Sequence, residues 1–295
     1  MSVLADLSAD LAKTVEAVGP SVVRIEARRR LPASGILWGD DVIVTASHVV
    51  QREENITVGL ADGSTAGAAL VGRDPATDVA VLRGPASGRT PAERAGADGL
   101  RVGHLVLALA RPGRTVRATL GIVSALGESW RTPEGSEVDR YLQTDAPLHP
   151  GFSGGPLVDG AGRILGLNTA GVLRGVSLTI PVATLQRVTE SLLTHGRVRR
   201  GYLGIGAQPV PLRGLAAPTT GAPVGLLLIS IEPGSPAERA GLFVGDILVS
   251  FDGQPVGGVD ALMALLGAER IGRPVPVRLV RGGQTQDITV EVGER

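Results

Sequence analysis

The 295-residue chain has no cysteine. That excludes disulfides, thiolate metal centres and a cysteine nucleophile. Aromatic residues are scarce, with Trp 2, Tyr 2 and Phe 3, so the cores must be built from Val, Leu, Ile and Ala. Neither sign of charge is in excess, because 29 Lys+Arg balance 29 Asp+Glu. A nucleic-acid partner or an anionic membrane surface would select a basic excess, so both are disfavoured. Lys13 is the only lysine. No apolar run reaches the ~18 uninterrupted residues that suggest a membrane span. The N-terminal stretch MSVLADLSADLAKTVEAVGPSVV lacks a cationic segment followed by an apolar one, so it does not read as a signal peptide. The expectation from that stretch is a cytoplasmic protein. No phosphate-binding loop of the ATPase type occurs, and neither a cofactor nor a metal is expected.

What is present is a chain with 43% apolar residues and room for two packed domains at ~100–200 residues each. Leu4, Leu7, Leu11, Val15 and Val18 recur at helical spacing and predict an N-terminal docking helix. After Pro20 the pattern changes to short β-rich runs: 21–27, 35–38, 42–45, 55–60, 68–72 and 79–83. A looser stretch follows, Gly84–Gly99, rich in Pro, Gly and Ala. Strands then resume at 105–110, 119–126, 141–144, 155–158, 164–169 and 177–181. Many short strands in two batches suggest two antiparallel barrels rather than βαβ units. Residues 182–195 have helical spacing, with Gly196 as a stop. The expected organisation is an N-terminal helix over 1–19, a two-barrel domain over 20–196 and a further domain over 197–295.

Three segments carry the chemistry: Val44–Val50 around His48, Arg73–Leu82 around Asp78, and Gly151–Leu157 around Ser153. A serine hydroxyl is a poor nucleophile at neutral pH. It needs a base within reach, and the base needs a group that fixes its tautomer. His, Asp and Ser in that order place two members in the first barrel and one in the second, so a site between the barrels follows. Asp74 is a rival for the acid. It precedes Pro75 and suits a turn, whereas Asp78 leads directly into the apolar run Val79–Leu82. Taken singly, each of these residues reads as structural. Their conjunction, in order and with these flanks, points to a hydrolase.

The stretches TASHVV, VGRDPATDVAVLR, VRATLGIVSALG, YLQTDAPLHPGFSGGPLVD and GRILGLNTAGV resemble the HtrA/Deg family of chymotrypsin-like serine proteases over most of residues 20–190. The resemblance implies His48 as general base, Asp78 as its orienting acid, Ser153 as nucleophile, and the backbone N–H groups of Gly151 and Ser153 as oxyanion hole. It also implies a primary pocket floored by Pro147 and walled by Leu148 and by Asn168, Thr169, Ala170, Gly171 and Val172. Such a pocket favours cleavage after Val, Ala, Ile or Leu. Phe152 replaces the Asn usual before the serine. It cannot pair with a newly cut N-terminus as an Asp there does, and it could bury itself or shape the cleft. The connection Arg28–Ser34 is short, without the long loop some relatives carry.

From Arg200 onward the stretches GYLGIG, GLLLISIEPGSPAERAGLFVGDILVSFDGQPV and GVDALMALLGAERIGRPVPVRLVRGGQTQDITVEV resemble a bacterial-type PDZ domain. The resemblance implies a peptide-binding loop Tyr202-Leu203-Gly204-Ile205 and a groove helix over 259–266. Such domains take peptide C-termini by strand addition. The implied fold is therefore mainly β, two chymotrypsin-like barrels followed by an α+β PDZ domain. The implied partners are unfolded polypeptide substrates and peptide C-termini, in a homotrimer assembled through the N-terminal segment. The rival is a catalytically silent PDZ-containing peptide-binding protein or chaperone.

Overall fold

A computed structural model describes residues 2–84, 91–96, 99–173, 175–212 and 224–294. The looser stretch Gly84–Gly99 falls partly outside them. The chain divides into two compact units, Met1–Val198 and Arg199–Arg295.

In the first unit, helix α1 (Val3–Val18) begins at Ser2, whose hydroxyl accepts the Ala5 N–H and so satisfies an otherwise orphaned donor. Its predicted apolar stripe docks only in part. Leu11, Val15 and Val18 pack on the core, whereas Leu4 is 77% and Leu7 40% exposed. Thr14 anchors the docked half through a 3.1 Å bond to the Gly160 carbonyl.

Six strands follow: β1 (Val22–Glu26), β2 (Ala33–Leu37), β3 (Val42–Ala46), β4 (Ile56–Gly59), β5 (Thr65–Asp74) and β6 (Val79–Arg83). They close as β1-β2-β3-β6-β5-β4. The strands are rich in Val and Ile, whose branched side chains suit a pleated surface. Ile25, Ile36, Ile43 and Leu82 are fully buried inside, each stabilising by about 1.5–3 kcal/mol.

The second barrel is built from β7 (Leu105–Ala110), β8 (Arg117–Leu126), β11 (Leu142–Thr144), β12 (Pro156–Asp159), β13 (Ile164–Thr169) and β14 (Leu178–Pro181), closed in the order β11-β14-β13-β12-β7-β8. A hairpin of β9 (Trp130–Arg131) and β10 (Glu137–Val138) interrupts it, and no sequence pattern announces it. Helix α2 (Val182–His195) buries Leu185, Val188 and Leu192, and ends at Gly196 in the left-handed region. One apolar cluster runs through the first barrel, α2 and part of the second barrel.

The second unit has a short pair, β15 (Gly201–Tyr202) with β22 (Gly293–Glu294). Its main antiparallel sheet contains β16 (Ile205–Pro211), β17 (Val224–Ile231), β18 (Ile247–Phe251), β20 (Pro274–Arg281) and β21 (Gln284–Glu291) in that order, with β19 (Gln254–Pro255) paired to β18. Helices α3 (Pro236–Arg239) and α4 (Val259–Leu265) cover it, and Leu262 and Leu265 of α4 join the core with Leu226, Leu248 and Val277. No helix among the described residues is long and apolar enough to cross a membrane.

Candidate active site

The pairing of β3 with β6 positions the first two members. Ala46 lies opposite Val79, so the residues just beyond the pair, Ser47 and Asp78, also meet: the Ser47 N–H donates to the Asp78 carbonyl at 3.0 Å. His48 sits in the helical turn Ser47–Val49 that ends β3. Asp78 closes a turn in which its N–H donates to the Pro75 carbonyl, and its φ is 56°, a region that Asp tolerates better than most residues. The rival acid holds this turn instead: the Asp74 carboxylate accepts the Thr77 hydroxyl at 2.7 Å and the Thr77 N–H at 3.3 Å.

His48 Nδ1 lies 2.7 Å from Asp78 Oδ2, and the His48 backbone N–H donates to Asp78 Oδ1 at 2.8 Å. The Thr169 hydroxyl donates a short bond to the same Oδ2. The Asp78 side chain is 5% exposed and that of His48 36%. One face of the imidazole is therefore reachable, while the carboxylate that orients it is shielded. Gly171 completes the shield, because a Cβ there would lie 2.6 Å from His48 Nδ1. A carboxylate fixed by three donors holds the ring with Nδ1 protonated and leaves Nε2 free to accept a proton.

Ser153 follows a tight turn. The Phe152 N–H donates to the His149 carbonyl at 3.0 Å, with Pro150 second and Gly151 third at φ 95°. That is the residue pattern of a type II turn, which requires positive φ at its third position. Among the described residues the Gly151 and Ser153 N–H groups make no hydrogen bond. Both remain available to a developing oxyanion. Gly154 abuts β3, since a Cβ on it would lie 2.4 Å from Thr45 Oγ1 and 3.1 Å from the Ala46 nitrogen. That contact brings the serine turn against the strand that ends in His48. The Ser153 hydroxyl itself makes no hydrogen bond to the imidazole, a bond that is often long until substrate binds. Phe152 buries itself, 1% exposed, with its ring edge-on to His149 at 5.8 Å.

A cleft of about 590 Å3 opens at Ser153. The second barrel contributes Leu148–Gly151 and Ala170, and the first contributes Arg28–Leu31 and Gln51. Of the expected pocket residues, Leu148 and Ala170 line it; Pro147, Asn168, Thr169, Gly171 and Val172 do not. The Pro147 carbonyl accepts the Thr119 hydroxyl, on the outside of the barrel. Asn168 is fully buried and accepts the Thr179 hydroxyl at 3.0 Å. Thr169 and Gly171 face the His48–Asp78 pair. Asp145, the nearest acid in that segment, accepts the Ile122 N–H at 2.7 Å and lies off the cleft. Nothing in the sequence beyond the shortness of the loop marks Arg28–Leu31 as cleft residues, and nothing local marks Thr169 as a partner of Asp78. The one available signal for Thr169 is a hydroxyl that, with Asn168, ends a buried and otherwise apolar strand.

In the second unit, Leu203 and Gly204 open a bend ahead of β16. Gly204 has φ 77°, its carbonyl accepts the Glu232 N–H at 2.8 Å, and the Leu203 carbonyl accepts the Ala237 N–H at 2.9 Å. The Tyr202 hydroxyl bonds the Glu232 carboxylate. Strand β16 is at the edge of its sheet, and α4 packs beside it. An open edge beside a helix forms a groove able to take an added strand.

Two antiparallel barrels with a His–Asp pair and a serine turn between them, followed by such a unit, define a serine protease of the chymotrypsin class with an appended PDZ domain. Family models agree: "Trypsin-like peptidase domain" matches residues 33–167 and "PDZ domain" residues 201–292. Among curated relatives, HhoB of Synechocystis sp., described as a serine protease, is 32% identical over 332 residues, covering 96% of this chain and 79% of its own length. A DegP-like periplasmic serine endoprotease of Halomonas elongata is 36% identical over 275 residues and covers 91% of this chain. The present chain spans 57% of that relative's length. Among solved structures, the serine endoprotease from Yersinia pestis superposes with a TM-score of 0.79 at 31% identity, covering 96% of this chain and 97% of its own. The HtrA-type protease AlgW with a decapeptide gives 0.80 at 28% identity, covering 96% and 98%. The chain belongs to the HtrA/Deg family of serine proteases.

Proposed function

We propose that the protein is an ATP-independent serine endopeptidase that cleaves unfolded or misfolded polypeptides and whose PDZ domain receives peptide C-termini. The observation that carries this reading is the 2.7 Å pairing of His48 Nδ1 with a shielded Asp78 carboxylate, beside a serine turn with two unengaged N–H groups. His48 Nε2 takes the Ser153 hydroxyl proton as Oγ attacks the scissile carbonyl. The Gly151 and Ser153 N–H groups receive the oxyanion, and the imidazolium then protonates the leaving amine. Asp78, steadied by Thr169, keeps the ring in the required tautomer. Leu148 and Ala170 on the cleft wall support cleavage after small or branched apolar residues. A substrate ammonium would find no carboxylate among the lining residues. The exposed turn of α1, with Val3, Leu4 and Leu7, supports self-association, and we extend the proposal to a homotrimer.

A fluorophosphonate probe tests the catalytic reading. Labelling of Ser153 that disappears in Ser153→Ala, together with loss of casein hydrolysis, is expected. No labelling in the presence of any C-terminal peptide would leave the silent peptide-binding protein as the better description.

A further inference from the structure

Three consecutive cations, Arg28, Arg29 and Arg30, line the cleft that holds Ser153. They come from the loop between β1 and β2, and Arg29 and Arg30 are exposed. The Arg28 Nε–H is turned to the Leu31 carbonyl within the loop. None of the three forms an ion pair among the described residues, and no acidic residue lines the cleft. Elsewhere the arginines are commonly matched to acids: Arg73 with Glu53, Arg83 with Asp41, Arg163 with Asp159, Arg281 with Asp246. A chain with zero net charge thus concentrates unmatched positive charge at the mouth of its candidate active site. A cleft lined by one sign of charge focuses the field and raises the local concentration of the opposite sign.

We propose that Arg28, Arg29 and Arg30 form a substrate subsite that selects carboxylate side chains, Asp or Glu, near the scissile bond. The inference rests on the endopeptidase reading given above. The occupant is a polypeptide, because whatever lies against these arginines shares a cleft with Ser153. An extended chain advances about 3.3 Å per residue, so the guanidinium groups reach side chains within roughly three positions of the cut. Guanidinium also matches carboxylate by paired, parallel hydrogen bonds. The primary pocket takes an uncharged residue while the arginines take an acidic neighbour, so the subsite narrows which apolar sites in an unfolded chain are cut. The effect belongs to exposed charges and must weaken with salt.

The test uses internally quenched peptides with a single Val cleavage site. Asp or Glu is placed at each of the three positions on either side, against Asn or Gln controls. All peptides are C-terminally amidated to keep them from the PDZ groove. The wild-type chain is expected to cut the best acidic peptide about tenfold faster in kcat/KM than its amide twin at low ionic strength, equivalent to ~1.4 kcal/mol. That ratio should shrink as salt is raised. The triple variant Arg28→Gln, Arg29→Gln, Arg30→Gln should bring it close to one, and the corresponding triple lysine variant should keep most of it. Equal rates for acidic and amide peptides at every position in the wild type would overturn the proposal. So would an unchanged ratio in the glutamine variant, or equal loss in both variants. Absence of any cleavage, also with a separate C-terminal peptide added to occupy the PDZ groove, would refute the endopeptidase reading instead. The charge question is then answered by binding: fluorescence anisotropy of the same peptides on Ser153→Ala should show the same preference, and equal affinity would overturn it.

Discussion

The Ser34 hydroxyl donates to the Gly151 carbonyl at 2.8 Å, tying the first strands of one barrel to the serine turn of the other. The same residue does more. Its N–H donates to the Ser153 carbonyl at 3.2 Å, and its hydroxyl oxygen accepts the Arg111 N–H at 2.8 Å. Ser34 is fully buried. It therefore sets the orientation of the carbonyl that follows one oxyanion donor and of the carbonyl of the nucleophile itself.

Ser34→Ala removes one donor and one acceptor from a dry site and leaves the Gly151 carbonyl and the Arg111 N–H unpaired. Each orphaned buried group costs about 1–3 kcal/mol. Urea unfolding should show the loss. kcat should fall more than KM changes, because the turn that carries the oxyanion donors is loosened while the cleft walls stay. A variant with wild-type kcat would mean that the turn is held by other contacts.

Thr169→Val keeps the shape of a buried side chain and removes one donor from the Asp78 carboxylate. A hydrogen bond to a charged group contributes about 1.5–3 kcal/mol, so a drop in kcat of roughly 10- to 100-fold is expected, with KM little altered. The Ser variant should recover much of the rate. Equal kcat for Thr169→Val and wild type in single-turnover measurements would separate Thr169 from the catalytic apparatus.

These two residues mark where the sequence stops being legible. Strands β6, β7 and β13 are visible at their observed bounds, because short apolar runs between turn residues have few other uses in a chain of this composition. Helix α2 is visible through its spacing and its terminal glycine. The β9–β10 hairpin has two residues per strand, too few for any period to register. Thr169 meets a carboxylate 91 positions away and Ser34 a carbonyl 117 positions away. Nothing local in either segment records such a contact. The His48, Asp78 and Ser153 segments are legible for the opposite reason, since each carries its own flanking pattern. The pocket walls rest on resemblance alone, and five of the seven expected residues lie off the cleft, held by their own hydrogen bonds, by the His48–Asp78 pair or, for Val172, by packing on the main apolar cluster.

The second unit should lose stability in acid through one pair. Asp246 is 2% exposed in its side chain and receives both Nε and Nη2 of Arg281 at 2.7 Å, with the Phe243 N–H at 2.8 Å. Burial alone would raise its carboxyl. The hydrogen bonds from Arg281 and Phe243 and the Arg281 charge outweigh that and hold it below the ordinary carboxylate range. The folded value thus lies under the unfolded one, about 3.9. The stabilisation is complete above that value and disappears as pH falls through the folded value. Asp246→Asn should be less stable than wild type by about 1–3 kcal/mol at pH 7, and the gap should close progressively below about pH 4. A gap of equal size at pH 7 and pH 3, measured by urea unfolding of the full chain, would rule out this linkage.

The edge strand of the PDZ domain carries its own stop. Among the described residues strand β16 pairs with β17 alone, and it contains Pro209 and Pro211. Proline has no N–H, so within a ladder it is tolerated only where that group would point away from the partner strand. Both prolines therefore face the open edge, and the period-two alternation of a strand puts Ala207 there with them. An added peptide finds a donor at Ala207 and none at positions 209 or 211. Ladder pairing should reach only as far as the segment Ile205–Gln208, about four ligand residues counted from the carboxylate. A tetrapeptide with an apolar C-terminal residue should then bind the Ser153→Ala chain within about twofold of a decapeptide with the same ending. Amidating the C-terminus should weaken both by tenfold or more, since charge-assisted bonds to the bend at Leu203 and Gly204 contribute about 1.5–3 kcal/mol. Pro209→Ala restores a donor on the open edge. It should tighten the decapeptide by roughly two- to tenfold, at about 0.5–1.5 kcal/mol per net hydrogen bond, and leave the tetrapeptide unchanged. A wild-type decapeptide binding tenfold tighter than the tetrapeptide in calorimetry would show that the prolines do not end the added strand.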